Sequence, residues 1–273
     1  MLKLMKHEFR ATGRTMVPLC LLTLIAAVGG NLSVRQLTAV DNGFLNALGV
    51  LLLAGFGIAI AAVCIMSVVV MIRRFYGSLL QDEGYVMMTL PVSVHQHIWA
   101  KLLVSTVWFA VTAATVALAM LLLAMDVELV HEVFGFFGPL LRDLLELDSF
   151  MVANGTLLVL EVAVLLVLAC FSICLEFYSA LAIGHSFANH KMLLSVVFFF
   201  ALNAIVSMVS SGALEALHFT PFPELVEELL SRSGGAMRMT HLMLLGIIVM
   251  ALARGAVYYF LTWYPLAKRL NLE

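Results

Sequence analysis

The chain has 273 residues, 63% of them hydrophobic and only 12% charged, with a mean hydropathy of +1.07. Soluble domains carry roughly 45–50% apolar and about 25% charged residues, so a single water-soluble core is excluded and a bilayer must solvate much of the surface. The formal net charge of −2 lacks the basic excess that goes with nucleic-acid binding, and no nucleic-acid partner is expected.

Residues 1–14 read as an amphipathic interfacial helix. Leu2, Met5, Phe9 and Met16 follow helical spacing on one face, and Lys3, His7, Arg10 and Arg14 on another. Such a helix lies on the inner leaflet with its cations toward anionic headgroups. The apolar run Val17 to Val28 could pass for a signal-peptide core, but the patterned residues before it favour a retained first span.

A span needs about 20 apolar residues. Six stretches qualify, at about 15–34, 44–72, 100–125, 151–184, 192–214 and 241–264. The expected fold class is therefore all-α, a polytopic integral membrane protein forming one transmembrane domain over residues 1–273. Residues 73–99 connect the second and third spans. Residues 126–150 mix acids with Val, Phe and Leu, and Leu140, Leu141, Leu144, Leu145 and Leu147 fit a short amphipathic helix. In the connection 215–240, Glu224 to Leu230 reads as another short helix, after which Gly234 and Gly235 break the chain.

The positive-inside rule sets the orientation. With the N-terminus in the cytoplasm, Lys3, Lys6, Arg10, Arg14, Arg73, Arg74, Lys101, Lys191, Lys268 and Arg269 fall inside, and only Arg35, Arg142, Arg232 and Arg238 outside. Both ends are then cytoplasmic, the segment 73–99 is cytoplasmic, and 126–150 and 215–240 are external.

Several chemistries find no support. Cys20, Cys64, Cys170 and Cys174 lie in apolar runs and read as packing residues. His131-Glu132 begins like a zinc-protease motif, but Gly135 stands where the second His belongs. His95 and His97 alone make a poor metal site, and no metal site is expected. There is no phosphate-binding Gly-x-x-x-x-Gly-Lys-Ser/Thr loop, so any ATP-derived energy must come from another polypeptide. Histidine is read as absent from the spans, which weighs against an intramembrane enzyme.

The 73–99 segment is the most informative. Arg73-Arg74 ends a span, a helix-like piece with Asp82 and Glu83 follows, Gly84 can stop it, and Pro91 breaks the chain before the next span. Phe75, Asp82, Glu83, Gly84, then Thr89-Leu90-Pro91-Val92-Ser93 and Lys101 resemble the first cytoplasmic loop of ABC-exporter permeases, the six-span class with a separate ATPase. The amphipathic N-terminus and the six-span layout extend the resemblance over nearly the whole chain.

The resemblance implies that Leu79, Leu80, Gln81, Asp82, Glu83, Gly84 and Tyr85 form a coupling helix docking on two cytoplasmic ABC ATPase subunits, which carry the ATP and magnesium; this chain binds no cofactor itself. It also implies a second permease copy, a lipid environment in a bacterial cytoplasmic membrane, and no bond chemistry on this chain. Helices equivalent to the second and fifth spans line the pathway in that family, which here nominates Ser67, Phe198, Phe199, Asn203 and Ser207. Their Phe and small polar groups suit a hydrophobic or amphipathic cargo, with a peptide of bacteriocin or toxin type the first guess and a drug or lipid the next. A non-transporting sensor or assembly factor with the same fold is the alternative.

Three charges lie inside the spans: Glu161, Glu176 and Arg254. A charge at the centre of a span costs about 2.5–3.5 kcal/mol on insertion scales, so such groups pair. Counting residues from the span ends puts Glu176 and Arg254 at similar depth, as a structural ion pair, and Glu161 nearer the external face, where water or the outer loops can reach it.

Overall fold

The computed structural model describes residues 2–39, 43–80, 93–125, 149–187, 189–217, 220, 222–231 and 234–268. Its helices are α1 (Leu2–Ala39), α2 (Gly43–Leu79), α3 (Val94–Ala124), α4 (Ser149–Gly184), α5 (Lys191–Leu217), α6 (Phe222–Ser231) and α7 (Gly235–Lys268), and the described residues contain no strand. All but α6 are long and apolar enough to cross a membrane, which makes this an all-α, multi-pass membrane protein with six spans. In hydrocarbon no water reaches backbone N–H and C=O groups, so a crossing segment must bond them to itself, and the helix is the form in which one segment does so. The apolar residues run round these helices, and many stay uncovered: Phe44, Ile58 and Met208 are each 70% or more exposed, surface that lipid rather than water must meet.

The amphipathic segment 1–14 is helical from Leu2 but does not stand apart as an interfacial helix. It continues into the first span as one helix of 38 residues. Pro18 removes only the bond its own N–H would have given to the Arg14 carbonyl. The segment's inner face packs on protein: Trp108 donates from Nε1 to Thr12 Oγ1 at 2.7 Å, and Phe9 meets the Trp108 ring at 6.0 Å.

The chain divides into two compact units. The first comprises α1, α2 as far as Arg74, and α3 from Leu103. Ala27, Phe56 and Ala119 are its buried centre, with Leu24, Ile60, Leu122 and Leu123 around them. Small residues let these backbones approach closely. At Gly30 a Cβ would lie 2.8 Å from Leu123 Cδ1. The end of α3 is capped from α1: Asn31 Nδ2 donates to the carbonyls of Leu123 and Met125 at 2.9 and 2.8 Å, and Arg35 Nη2 donates to Met125 at 2.7 Å. These bonds satisfy carbonyls that a helix end leaves without intrahelical partners.

The second unit comprises residues 75–102 and 148–273. Here α4 is central, packing against α5 and α7, while α6 packs on α7. Early residues of α4 and α7 pair (Glu161 with His241), and farther along each helix Phe171 and Tyr259 both meet Trp99, so the two run parallel. Chain direction reverses through residues 185–190 into α5, with His190 at φ 56° and its carbonyl accepting from Leu194 N–H. The short helix expected at Glu224 to Leu230 is α6, and Gly234 takes a φ of 73° at the expected break, a left-handed turn that glycine adopts without strain.

The reversal holds α4 and α5 in direct contact at Gly184. A Cβ there would sit 2.6 Å from Ser195 N and 2.7 Å from its Cα, both backbone atoms that cannot swing away. Gly184→Ala is therefore expected to destabilise by about 1–3 kcal/mol through overpacking, read as a lower unfolding temperature in detergent. Gly246→Ala, where a Cβ meets nothing within 4 Å, should leave it unchanged.

Candidate functional site: polar and aromatic clusters of the second unit

Two features of the second unit carry chemistry: an aromatic frame around the ends of the 81–92 connection, and polar groups within the spans.

The frame is built from the ends of α2 and α3. Phe75 stacks on Tyr178 of α4 with centroids 4.0 Å apart and planes 9° apart, and both rings are buried. Tyr76 meets the edge of His185 at 5.2 Å. Leu79 and Leu80 are buried, and Leu80 N–H bonds the Tyr76 carbonyl at 2.9 Å. Gln81, Asp82, Glu83, Gly84 and Tyr85 lie outside the described residues.

The chain is described again at Ser93, which opens α3 with a capping box. Ser93 Oγ accepts from Gln96 N–H and Gln96 Oε1 accepts from Ser93 N–H, each at 3.4 Å. The spacing Ser93-x-x-Gln96 was visible in the sequence and gives the Ser of the Thr-Leu-Pro-Val-Ser run a structural task. Beyond it His95 stacks on Trp263 at 5.3 Å and its Nδ1 hydrogen-bonds the Tyr259 hydroxyl at 2.5 Å, which ties the start of α3 to α7. Lys101 is buried.

His185 stands just past the end of α4, buried, with Nδ1 donating to the Leu181 carbonyl at 2.9 Å. Burial pushes its pKa below the ordinary histidine value; the Leu181 carbonyl opposes this and the charge of Lys191 adds to it. A histidine depressed in the fold takes up a proton more readily when unfolded, so its stabilisation is complete above the ordinary histidine value and is lost as pH falls through it. The unfolding temperature should thus drop between pH 8 and pH 5.5, and His185→Gln should remove part of that drop. An equal drop in both proteins contradicts this.

Within the spans, Glu161 has a direct partner in His241. His241 Nδ1 donates to Glu161 Oε2 at 2.8 Å, and the two side chains are only 13% and 15% exposed. The expectation that histidine is absent from the spans is corrected here. His241 opens the expected sixth span, and the helix extends back to Gly235, which puts His241 well within it. Its Nε2 is buried and has no hydrogen-bond partner among the described residues.

Glu176 and Arg254 do not touch as an ion pair: among the described residues no Glu176–Arg254 contact within 4.0 Å occurs. The direct partner of Glu176 is Asn203, whose Nδ2 donates to Glu176 Oε1. Arg254 acts on Glu176 electrostatically from farther off, and the charges of both reach buried Tyr258.

Of the nominated pathway residues, Ser67 belongs to the first unit, where it is buried and donates to the Cys64 carbonyl at 2.7 Å. Phe198 stacks on Phe187 at 5.7 Å, Phe199 stacks on Phe177 at 4.8 Å, and Asn203 and Ser207 are exposed along α5. Among the described residues no three metal-ligating side chains come together.

Fold and clusters together define the class: a six-span helical membrane protein with ionisable groups held inside its spans. No family model, curated protein or solved structure matches the chain.

The Glu161–His241 pair should behave as a coupled unit. Glu161→Gln or His241→Gln alone is expected to cost about 1–3 kcal/mol by stranding a buried polar partner. The double variant should cost less than the sum of the two, measured as a double-mutant cycle of denaturant midpoints.

Proposed function

We propose that the chain is the membrane subunit of an ATP-driven ABC exporter, working as two copies with two cytoplasmic ATPase subunits and moving a hydrophobic or amphipathic cargo across a bacterial cytoplasmic membrane. The observation that carries this reading is the run from Phe75 through Asp82-Glu83-Gly84 and Thr89-Leu90-Pro91-Val92-Ser93 to Lys101, which resembles the ATPase-docking loop of such permeases.

The frame around that run supports it. A docking loop transmits force only if its ends are fixed to the helices that must move. Here the entry is fixed by the Phe75–Tyr178 stack and the buried Leu79, and the exit by the Ser93 capping box and the His95–Trp263 stack. A push on residues 79–85 would pass directly to α4 and α7, the helices that carry Glu161, Glu176, His241 and Arg254. Alternation between inward-open and outward-open states then amounts to a bias by the ATPases on a two-state equilibrium.

Glu83 is the charged contact in this scheme. Glu83→Arg should insert and fold normally yet abolish stimulation of ATP hydrolysis in the assembled complex. The measurement is ATPase activity of the chain co-purified with its co-expressed neighbours. Absence of any soluble ATPase from the purified material would instead favour a membrane sensor with a permease-like fold.

A further inference from the structure

We infer that the seam of α4, α5 and α7 around Arg254 binds the anionic headgroup, carboxylate or phosphate, of an amphipath; the inference rests on the export reading only in treating that amphipath as cargo.

Depth is the first argument. His95, Tyr259 and Trp263 form an aromatic tier of the kind that sits at a membrane interface. Arg254 precedes Trp263 by nine residues in one unbroken helix, or about 13 Å at 1.5 Å per residue. Half of a hydrocarbon core about 30 Å thick is a similar distance, so the guanidinium starts near the middle of the bilayer.

Exposure is the second. Arg254 is exposed, and among the described residues it has neither a hydrogen-bond acceptor nor an ion-pair partner. An arginine presents five N–H donors and stays charged, so lipid tails cannot be what covers it.

The surroundings supply the third. Glu176 is the nearby carboxylate, but it forms no ion pair with Arg254 and accepts from Asn203 of α5. The guanidinium fork is thus left for another anion, in the bidentate geometry that carboxylate and phosphate accept. Next to Glu176, Phe177 stacks on Phe199, one turn before Asn203, and gives an aromatic wall for a tail. Beside Arg254, a Cβ on Gly255 would meet nothing within 4 Å, so the approach on that side is open. An unpaired guanidinium in a span that also adjoins apolar side chains suits an anion carried on an apolar chain.

The test uses the purified full chain in nanodiscs of pure phosphatidylcholine, titrated with the fluorescent fatty acid 11-(dansylamino)undecanoic acid and, separately, with its uncharged methyl ester. The acid should bind, and the ester at least about tenfold more weakly, as expected for loss of a charge-assisted hydrogen bond. Arg254→Gln should weaken the acid by a similar factor, Arg254→Lys should retain part of the affinity, and Arg238→Gln should change nothing. Nanodiscs with one-fifth phosphatidylglycerol distinguish the source of the anion. Displacement of the probe there assigns the site to a bilayer headgroup, and no displacement assigns it to a separate amphipath.

Equal binding of acid and ester, or unchanged binding by Arg254→Gln, overturns the site. So does a shift of Arg254→Gln from dimer to monomer by light scattering with binding unaltered, which gives Arg254 to an interface with a second copy. No ATPase enters the measurement. A negative result leaves the export reading standing, and failure to find an ATPase leaves a positive result standing.

Discussion

Inside a bilayer every polar group must find its partner within the protein, and the rest of this structure follows from that constraint. The backbone meets it by forming helices. Hydroxyl groups meet it locally: Thr23, Thr112, Thr115 and Thr262 each donate to the carbonyl four residues earlier. The end of α3 meets it through Asn31 and Arg35 of a neighbouring helix. Glu161 meets it with His241, and Glu176 with Asn203. Arg254 and the buried His241 Nε2 have no hydrogen-bond partner among the described residues, and Arg254 is the group proposed above to meet an anion.

The same constraint separates the roles of the two units. The first is held by small residues and a buried Phe, with Asn31 and Arg35 closing the end of α3. The second keeps ionisable side chains inside its spans, at a cost of about 2.5–3.5 kcal/mol for each one left near the centre. It also holds both flanks of the connection 81–92. The connection proposed to receive the push and the site proposed for an anion thus both adjoin the packed body built on α4.

The six spans were legible because bilayer thickness sets a length that hydropathy reads directly. The break at Gly234 and the α6 helix were legible from a glycine pair and from acids spaced along an apolar stripe. Lateral partners were not. Counting along a helix gives depth but not the direction a side chain faces, so Glu176 and Arg254 came out level, and Asn203, nominated only for the pathway, was not recognised as the partner of Glu176. The partner of Glu161 was missed because the hydropathy window began the sixth span at His241 and hid that the helix starts at Gly235. Residues 1–14 are helical as read, and they run on into the first span because nothing between Leu2 and Ala39 stops the helix. For Gln81 to Tyr85 the sequence alone carries the argument.

If a separate ATPase drives the chain by docking on residues 79–85, contact at position 83 reports it most directly. A photo-crosslinking amino acid placed at position 83 of the full-length chain, in intact membranes of its host, should capture a soluble ATP-binding polypeptide, and the same probe at position 140 in the connection 126–150 should capture none. Capture at position 140 but not at 83, or no ATP-binding polypeptide from either position in well-expressed protein, contradicts the account.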